Sequence, residues 1–341
     1  DGGEGTVEAL VSGMNGTIRK VSVTGPIGKT VVCEYGVIEN TGGKTEEKTA
    51  VIEIAKAAGL TLLSEEERNP LYTTTYGVGE VIKDAVRNGC RKFIVGIGGS
   101  ATNDGGAGML QALGFGLLKE NGEQIPIGAR GLEELAEITD DNVIPELAEC
   151  KFKIACDVTN VLCGETGASA VYGPQKGADE EMTERLDRLL FSYASLVKKK
   201  IPKADSMYPG TGAAGGLGFA FLTFMDAQLE SGIQIVIKET GLEQEIAKAD
   251  LVITGEGRMD GQTAMGKAPI GIAKIAKKYG KPVIAFAGAA ARDAGACNEQ
   301  GIDAFFPILR EAVSLEAAMK RENAEANMEA AVEQAYRLWR L

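Results

Sequence analysis

The chemistry most visible in this chain lies in Phe93-Ile-Val-Gly-Ile-Gly-Gly-Ser-Ala-Thr-Asn-Asp-Gly-Gly-Ala-Gly108. An apolar strand runs into a glycine-rich loop, and a helix-like segment, Met109–Leu113, follows. Without Cβ atoms, backbone N–H groups can crowd around an anion, and a helix N-terminus behind them adds the positive end of its dipole. Ser100, Thr102, Asn103 and Asp104 add polar side chains at the tip. Turns of this kind, at the carboxyl ends of strands, are where open α/β sheets bind ligands. The competing interpretation is that the glycines serve only the geometry of the turn.

Histidine is absent from all 341 residues. That excludes Ser-His-Asp and Cys-His mechanisms and any His-ligated metal. A general base here is Asp, Glu, Lys, Tyr or Cys. A divalent metal would rest on oxygen ligands, which suits Mg²⁺ or a similar hard ion.

The elements that position these residues follow from hydrophobic period. Ile18–Val23, Thr30–Tyr35 and Thr49–Ile54 read as strands, with Gly25-Pro26 as punctuation. Glu80–Asn88 reads as a helix ending at Gly89, before a strand at 92–97. Leu132–Ile138 and Ile144–Cys150 look helical. Lys151–Cys156 is a strand that terminates in Asp157, and Gly173–Gly177 is a turn. Glu180–Lys199 is an amphipathic helix, and Gly210–Gly216 introduces another near 217–225. Asp250–Thr254 is a strand ending in Gly255-Glu-Gly-Arg258. Pro269–Tyr279 is a helix, Pro282–Ala287 and Ala304–Leu309 are strands, and Leu315–Leu341 is a closing helix. Alternation of strand and helix from 79 to 113 and from 246 to 309 implies a parallel α/β architecture. The less regular stretches suggest a second domain. Asp1-Gly-Gly-Glu-Gly-Thr6 is another glycine-rich loop ahead of a helix opening. Such a loop normally follows a strand, so the sequence is expected to be truncated at its N-terminus.

Composition narrows the class. Hydrophobic content of 44% and charged content of 25% are ordinary for a globular protein, and the length favours two domains. No apolar run approaches the ~20 residues of a membrane span. Six scattered cysteines without a C-x-x-C pair point to reduced thiols in a cytoplasm and away from zinc. A net charge of −12 disfavours nucleic-acid binding but leaves room for a small anionic substrate at a local cation cluster.

Three glycine patterns approach nucleotide signatures. Gly96-Ile-Gly-Gly-Ser-Ala101 fits the dinucleotide fingerprint, the basis for an alternative reading as an NAD-dependent dehydrogenase of a small hydroxy acid. Gly105, Gly106 and Gly108 then fall where a pyrophosphate-gripping helix should run. Gly210-Thr-Gly-Ala-Ala-Gly215 follows Met207-Tyr-Pro209 rather than a strand. Gly261-Gln-Thr-Ala-Met-Gly-Lys267 is followed by Ala268 and lacks the hydroxyl of a P-loop. It is also expected to be separated from its strand by residues 255–260. Lys267 still suits phosphate as a point charge.

Taken in order, Asp1–Thr6, Thr24–Gly28, Arg68-Asn-Pro-Leu71, Thr74–Gly77, Gly96–Gly106, Ala155–Val158, Gly164–Gly177, Gly210–Gly216, Ile253–Arg258 and Gly266–Pro269 resemble the type I glycerate kinases of bacteria. The resemblance spans essentially the whole chain. It implies ATP-dependent phosphorylation of D-glycerate, more often to 2-phosphoglycerate than to 3-phosphoglycerate. It also implies two α/β domains with the substrate in a cleft between them. One domain would be Rossmann- or flavodoxin-like with a parallel sheet, the other smaller with a mixed sheet. The assigned boundaries are 77–118 plus 246–341 (with 1–15) for the first and 16–76 plus 119–245 for the second. The family normally begins with a strand and a Pro-Asp-Ser-Phe-Lys segment, which this chain lacks, so a strand and a site lysine are expected to be missing. Members often carry His where this chain has Met265.

Phosphoryl transfer is mainly positioning and charge neutralisation. Asp157 and Asp104 are the candidates to orient or deprotonate the hydroxyl, and Lys176 is a candidate cation. Arg258 is placed to grip the substrate carboxylate or to pair with Glu256. Glu256 and Asp260 are candidates for Mg²⁺. Asp1, Glu4, Gly98, Gly99, Ser100, Thr102, Asn103, Gln175, Gly212, Gly215 and Lys267 complete the expected substrate and nucleotide site. A cytoplasmic monomer or homodimer is expected, without nucleic-acid or membrane partners. A non-catalytic organic-acid binding protein is the remaining alternative.

Overall fold

Residues 5–39 and 47–340 are described in the computed structural model, and they divide into two units at Ile235/Val236. In the first unit, α1 (Thr6–Gly13) precedes three strands, β1 (Thr17–Thr24), β2 (Thr30–Glu39) and β3 (Lys48–Glu53). Then come α2 (Ala55–Ala58), α3 (Tyr76–Arg87), β4 (Cys90–Gly96), α4 (Ala107–Leu113) and the short strands β5 (Gly116–Leu118) and β6 (Glu137–Thr139). β7 (Lys151–Ala155), α5 (Ala168–Tyr172), α6 (Glu180–Lys200), α7 (Ala213–Phe224) and β8 (Gln228–Glu230) complete it, and α8 (Gly232–Thr240) crosses the division.

Six strands form one mixed sheet in the order β1-β2-β3-β4-β7-β8. The β1–β2 and β2–β3 pairs are antiparallel, and the other three are parallel. Burial explains the difference. β1 is a solvated edge, whereas five of the six residues of β3 are buried, as expected of a strand covered on both faces. α3 buries Val78, Val81, Ile82, Ala85 and Val86 at helical spacing and ends before Gly89, whose φ is 87°.

The second unit holds α9 (Leu242–Lys248), β9 (Val252–Met259), α10 (Ala268–Lys278), β10 (Val283–Ala290), α11 (Ala296–Glu299), β11 (Ala304–Pro307), α12 (Leu315–Ala318) and α13 (Arg321–Trp339). Its sheet is parallel, in the order β11-β10-β9. Phe286, Ile308 and Ala335 pack together in its core. Among the described residues, no helix is long and apolar enough to cross a membrane.

The fold is α/β with one mixed-sheet unit and one parallel-sheet unit, as expected, but the assignment of segments differs. Residues 77–118 belong with the mixed sheet, because β4 is hydrogen-bonded to β3 on one side and β7 on the other. Neither of its edges is open to β9. α1 likewise stays in the first unit, where Val7 N donates to Glu53 at the end of β3. The mixed-sheet unit is therefore the larger. The helices expected at 132–138 and 144–150 are 3-10 turns, Ala129–Glu134 and Pro145–Glu149, with β6 after the first. β9 runs on to Met259, so the Gly261–Lys267 loop follows its strand almost at once. The closing helix is two helices, with the break at Met319-Lys320.

Candidate active site

β3, β4, β7 and β8 are parallel, so their carboxyl ends share one edge of the sheet. From that edge the 97–106 loop leaves β4 and reaches α4. Neighbouring segments pin it. Leu60 N donates to Gly99 O at 2.9 Å, and Ala101 N donates to Ala58 O at 2.8 Å. Thr73 Oγ1 donates to Ala101 O at 2.9 Å, and Gly105 N donates to Gly215 O at 2.9 Å. Gly98 and Gly99 line the outer turn, and Gly99 has φ 71°. Ser100 is 6% exposed, and Thr102, Asn103 and Asp104 are fully buried. The polar tip thus faces inward. Ala101 sits beside the bridge between Ser100 and Gly59 rather than in a helix, which removes the dinucleotide fingerprint.

Asp104 is a knot rather than a base. Its carboxylate accepts Thr75 N at 2.9 Å, Thr75 Oγ1 at 2.9 and 3.2 Å, Gly106 N at 3.1 Å and Gly108 N at 3.3 Å. Burial pushes its pKa up, and the Thr75, Gly108 and Gly106 hydrogen bonds oppose that shift. Both oxygens are occupied, so the expected role in hydroxyl activation does not fit this position. Asp104 closes the start of α4 and ties it to residue 75.

Lys176 ends the 3-10 turn Pro174–Lys176 and is 2% exposed, whereas Gln175 beside it faces solvent. Lys176 Nζ donates to Ser100 Oγ at 2.9 Å and Thr102 O at 2.6 Å. Burial pushes the ammonium down to about 7, against the favourable charge of Asp104. Asn103 Nδ2 donates to Ser169 Oγ at 2.9 Å. Thr102 Oγ1 and Asn103 Oδ1 are buried without a hydrogen-bond partner.

Gly212 and Gly215 are packing glycines. Ala214, Gly215 and Gly216 are left-handed, with φ of 53°, 66° and 95°. A Cβ on Gly215 would lie 2.0 Å from Thr102 O, so only glycine lets the start of α7 rest on the loop. A Cβ on Gly212 would meet Val161 O at 2.1 Å.

Asp157 is different. It follows β7, is exposed, and its Oδ1 accepts Gly232 N at 3.1 Å, at the first residue of α8. Sequence reasoning missed Glu53, which is 3% exposed at the end of β3 and accepts Val7 N at 3.0 Å. Its signal was a carboxylate closing an apolar strand. Through α1 it anchors the end of the first glycine loop. Asp1 and Glu4 of that loop lie outside the described residues.

In the second unit, Thr263 Oγ1 donates to Glu256 Oε1, and Asp260 Oδ1 accepts Gln262 N at 3.0 Å and Thr263 N at 3.2 Å. Both carboxylates lean on buried Thr263. Among the described residues, no three acidic, Cys or His groups form a metal cluster. Two carboxylates still fit a hard cation that keeps waters and takes substrate phosphate as ligand, the usual habit of Mg²⁺. Arg258 is exposed and, among the described residues, makes no ion pair with Glu256. Lys267 is the exposed N-cap residue of α10, with Pro269 in the first turn. Asp293 packs against the same turn: its Oδ2 lies 2.7 Å from where a Cβ of Gly261 would stand.

Comparison with known proteins adds independent findings. A model described as the glycerate kinase family matches residues 1–340. The chain is 49% identical over 321 residues to a glycerate kinase of Halalkalibacterium halodurans, covering 94% of this chain and 83% of that protein. It is 48% identical over 320 residues to glycerate 2-kinase of Escherichia coli strain K12, covering 94% and 82%. It also superimposes on a crystal structure assigned as glycerate kinase 2 from Salmonella typhimurium LT2. The TM-score is 0.85 at 47% identity, with 98% of this chain and 86% of that one covered.

Proposed function

The chain belongs to the glycerate kinase family, and we propose how its own residues carry out the ATP-dependent phosphorylation of glycerate. The reaction moves the γ-phosphoryl group of ATP to a glycerate hydroxyl, and ADP and a phosphoglycerate leave. The 2-hydroxyl of D-glycerate is our assignment of the acceptor, after the relative whose name specifies it.

Asp157 orients that hydroxyl and takes its proton as the new P–O bond forms. One observation carries this choice. Asp157 is the candidate carboxylate exposed at the carboxyl end of a parallel strand, whereas Asp104 is buried with both oxygens taken. The hydrogen bond from Gly232 N fixes the Asp157 side chain without removing its exposure. Ser100, Thr102, Asn103 and Lys176 hold the 97–106 loop in shape, so that the backbone of Gly98 and Gly99 faces the ligand.

Within the second unit, the planar fork of Arg258 suits a two-oxygen anion, and Lys267 suits a phosphate at the α10 N-terminus. Glu256 and Asp260 would hold Mg²⁺, which neutralises phosphate charge when bound. The setting is cytoplasmic, and the enzyme works as a monomer or homodimer on small molecules alone. The test is ADP release in a coupled assay with D-glycerate and ATP, with the product's phosphate position read by NMR. Absence of ADP release at saturating substrates would sink the reading, and a 3-phosphoglycerate product would overturn the choice of hydroxyl.

A further inference from the structure

Arg68 begins a segment that runs along the 97–106 loop. Thr73 Oγ1 of that segment binds Ala101 O, and Thr75 binds Asp104. At its start, Arg68 backs onto the residue after Lys176: a Cβ on Gly177 would lie 2.4 Å from Arg68 O and 3.1 Å from Arg68 Cβ. Gly177 has φ 93°, so the turn that buries Lys176 also brings the chain against Arg68. Arg68 therefore stands at the loop cluster of the first unit.

Among the described residues its guanidinium makes no hydrogen bond, and it acts on Glu66 only through its charge. Nε is buried and without a hydrogen bond, and among the described residues Arg68 forms no ion pair. The nearby acids take their hydrogen bonds from other residues, although the Arg68 charge reaches Glu66. Glu67 takes Lys29 Nζ at 2.8 Å and Ser64 N at 3.2 Å, and Glu66 is hydrogen-bonded to Ser64. A buried guanidinium nitrogen without an acceptor is costly, and the cost is recovered when an anion arrives. Arg offers five donors in a fork matched to two oxygens of one anionic group. Thr102 Oγ1 and Asn103 Oδ1, in the same loop cluster, are also buried and unpaired.

We propose that Arg68 is a substrate-binding residue whose fork receives a two-oxygen anion, either the carboxylate of glycerate or a phosphate of ATP. The proposal rests on the glycerate kinase reading for the identity of those anions. Its test is Arg68→Lys in the full protein, with ADP release measured while each substrate is varied at saturation of the other. Lysine keeps the charge and loses the fork. One KM should rise about tenfold or more, the scale of a charged hydrogen bond, with the melting temperature unchanged. A rise confined to glycerate assigns the carboxylate, and a rise confined to ATP assigns a phosphate. Unchanged KM values overturn the proposal, whether or not the melting temperature falls. If Arg68→Lys does not fold, Arg68→Gln replaces it, read by the same split. If the wild type releases no ADP, the kinase reading has failed separately. The melting-temperature rise given by D-glycerate or by ATP, compared between wild type and Arg68→Lys, then decides on Arg68 alone. An equal rise in both proteins with each ligand overturns it.

Discussion

Replacing Lys176 with methionine should change how stability depends on pH. In the folded protein burial holds the ammonium near about 7, whereas the ordinary value is 10.5. Between those limits the unfolded chain binds more protons at this site than the folded one. Stability therefore rises with pH across the window, by close to 1.4 kcal/mol per unit in its middle. Below about 7 both states carry the charge, and the full cost of burying it applies. The whole displacement corresponds to about 5 kcal/mol. Methionine fills similar space and does not titrate, but it strands Thr102 O, which now accepts from Nζ at 2.6 Å. That loss costs about 1–3 kcal/mol at every pH. The variant should thus compare best with wild type at pH 6.5 and fall behind by about 2 kcal/mol between pH 7.5 and 9. Urea unfolding of both proteins at these pH values measures the difference, in which the other titrating groups cancel. Parallel profiles, within about 0.5 kcal/mol, would refute the assignment of a perturbed buried amine. Turnover should fall at all pH values, because Ser100 and Thr102 lose the group that holds their loop.

Two other outcomes are expected. Asp157→Asn keeps the acceptor for Gly232 N and removes the charge, so kcat should drop by roughly 10²-fold while the melting temperature holds; near-normal turnover would move the base elsewhere. Gly215→Ala places a Cβ 2.0 Å from Thr102 O at φ 66°, and should lower unfolding free energy by at least about 2 kcal/mol; a variant as stable as wild type would show that the 102–103 segment can yield.

Local period was enough to place most elements. The strand of Thr49–Ile54 and the amphipathic helix of Glu180–Lys199 both appear within a residue or so of expectation. Period does not say which strands share a sheet. β4 and β9 read alike as buried strands before glycine loops, and only hydrogen bonding shows that β4 lies between β3 and β7. The fate of charge was also illegible. Lys176 follows an exposed Gln175 and precedes a glycine, as a solvated loop lysine would, yet it is buried by contacts with residues 100 and 102 far away in sequence. Glu53 was hidden for the same reason, since its partner Val7 N is distant along the chain.

Asp104 and Asp157 differ in how the structure holds them. Both follow parallel strands of one sheet, and sequence alone gives each the same claim to the hydroxyl. Asp104 is surrounded by donors from residues 75, 106 and 108, and its carboxylate cannot leave them without exposing all of them unpaired. A group held that firmly is a poor proton acceptor for an incoming ligand. Lys176, buried close by, donates to Ser100 Oγ and Thr102 O and draws both inward. Asp157 has a fixed orientation and remains exposed, the combination a base requires. The loop between 98 and 106 is thus kept in shape by buried hydrogen bonds, and Asp157, the carboxylate proposed above as the base, is exposed outside that network.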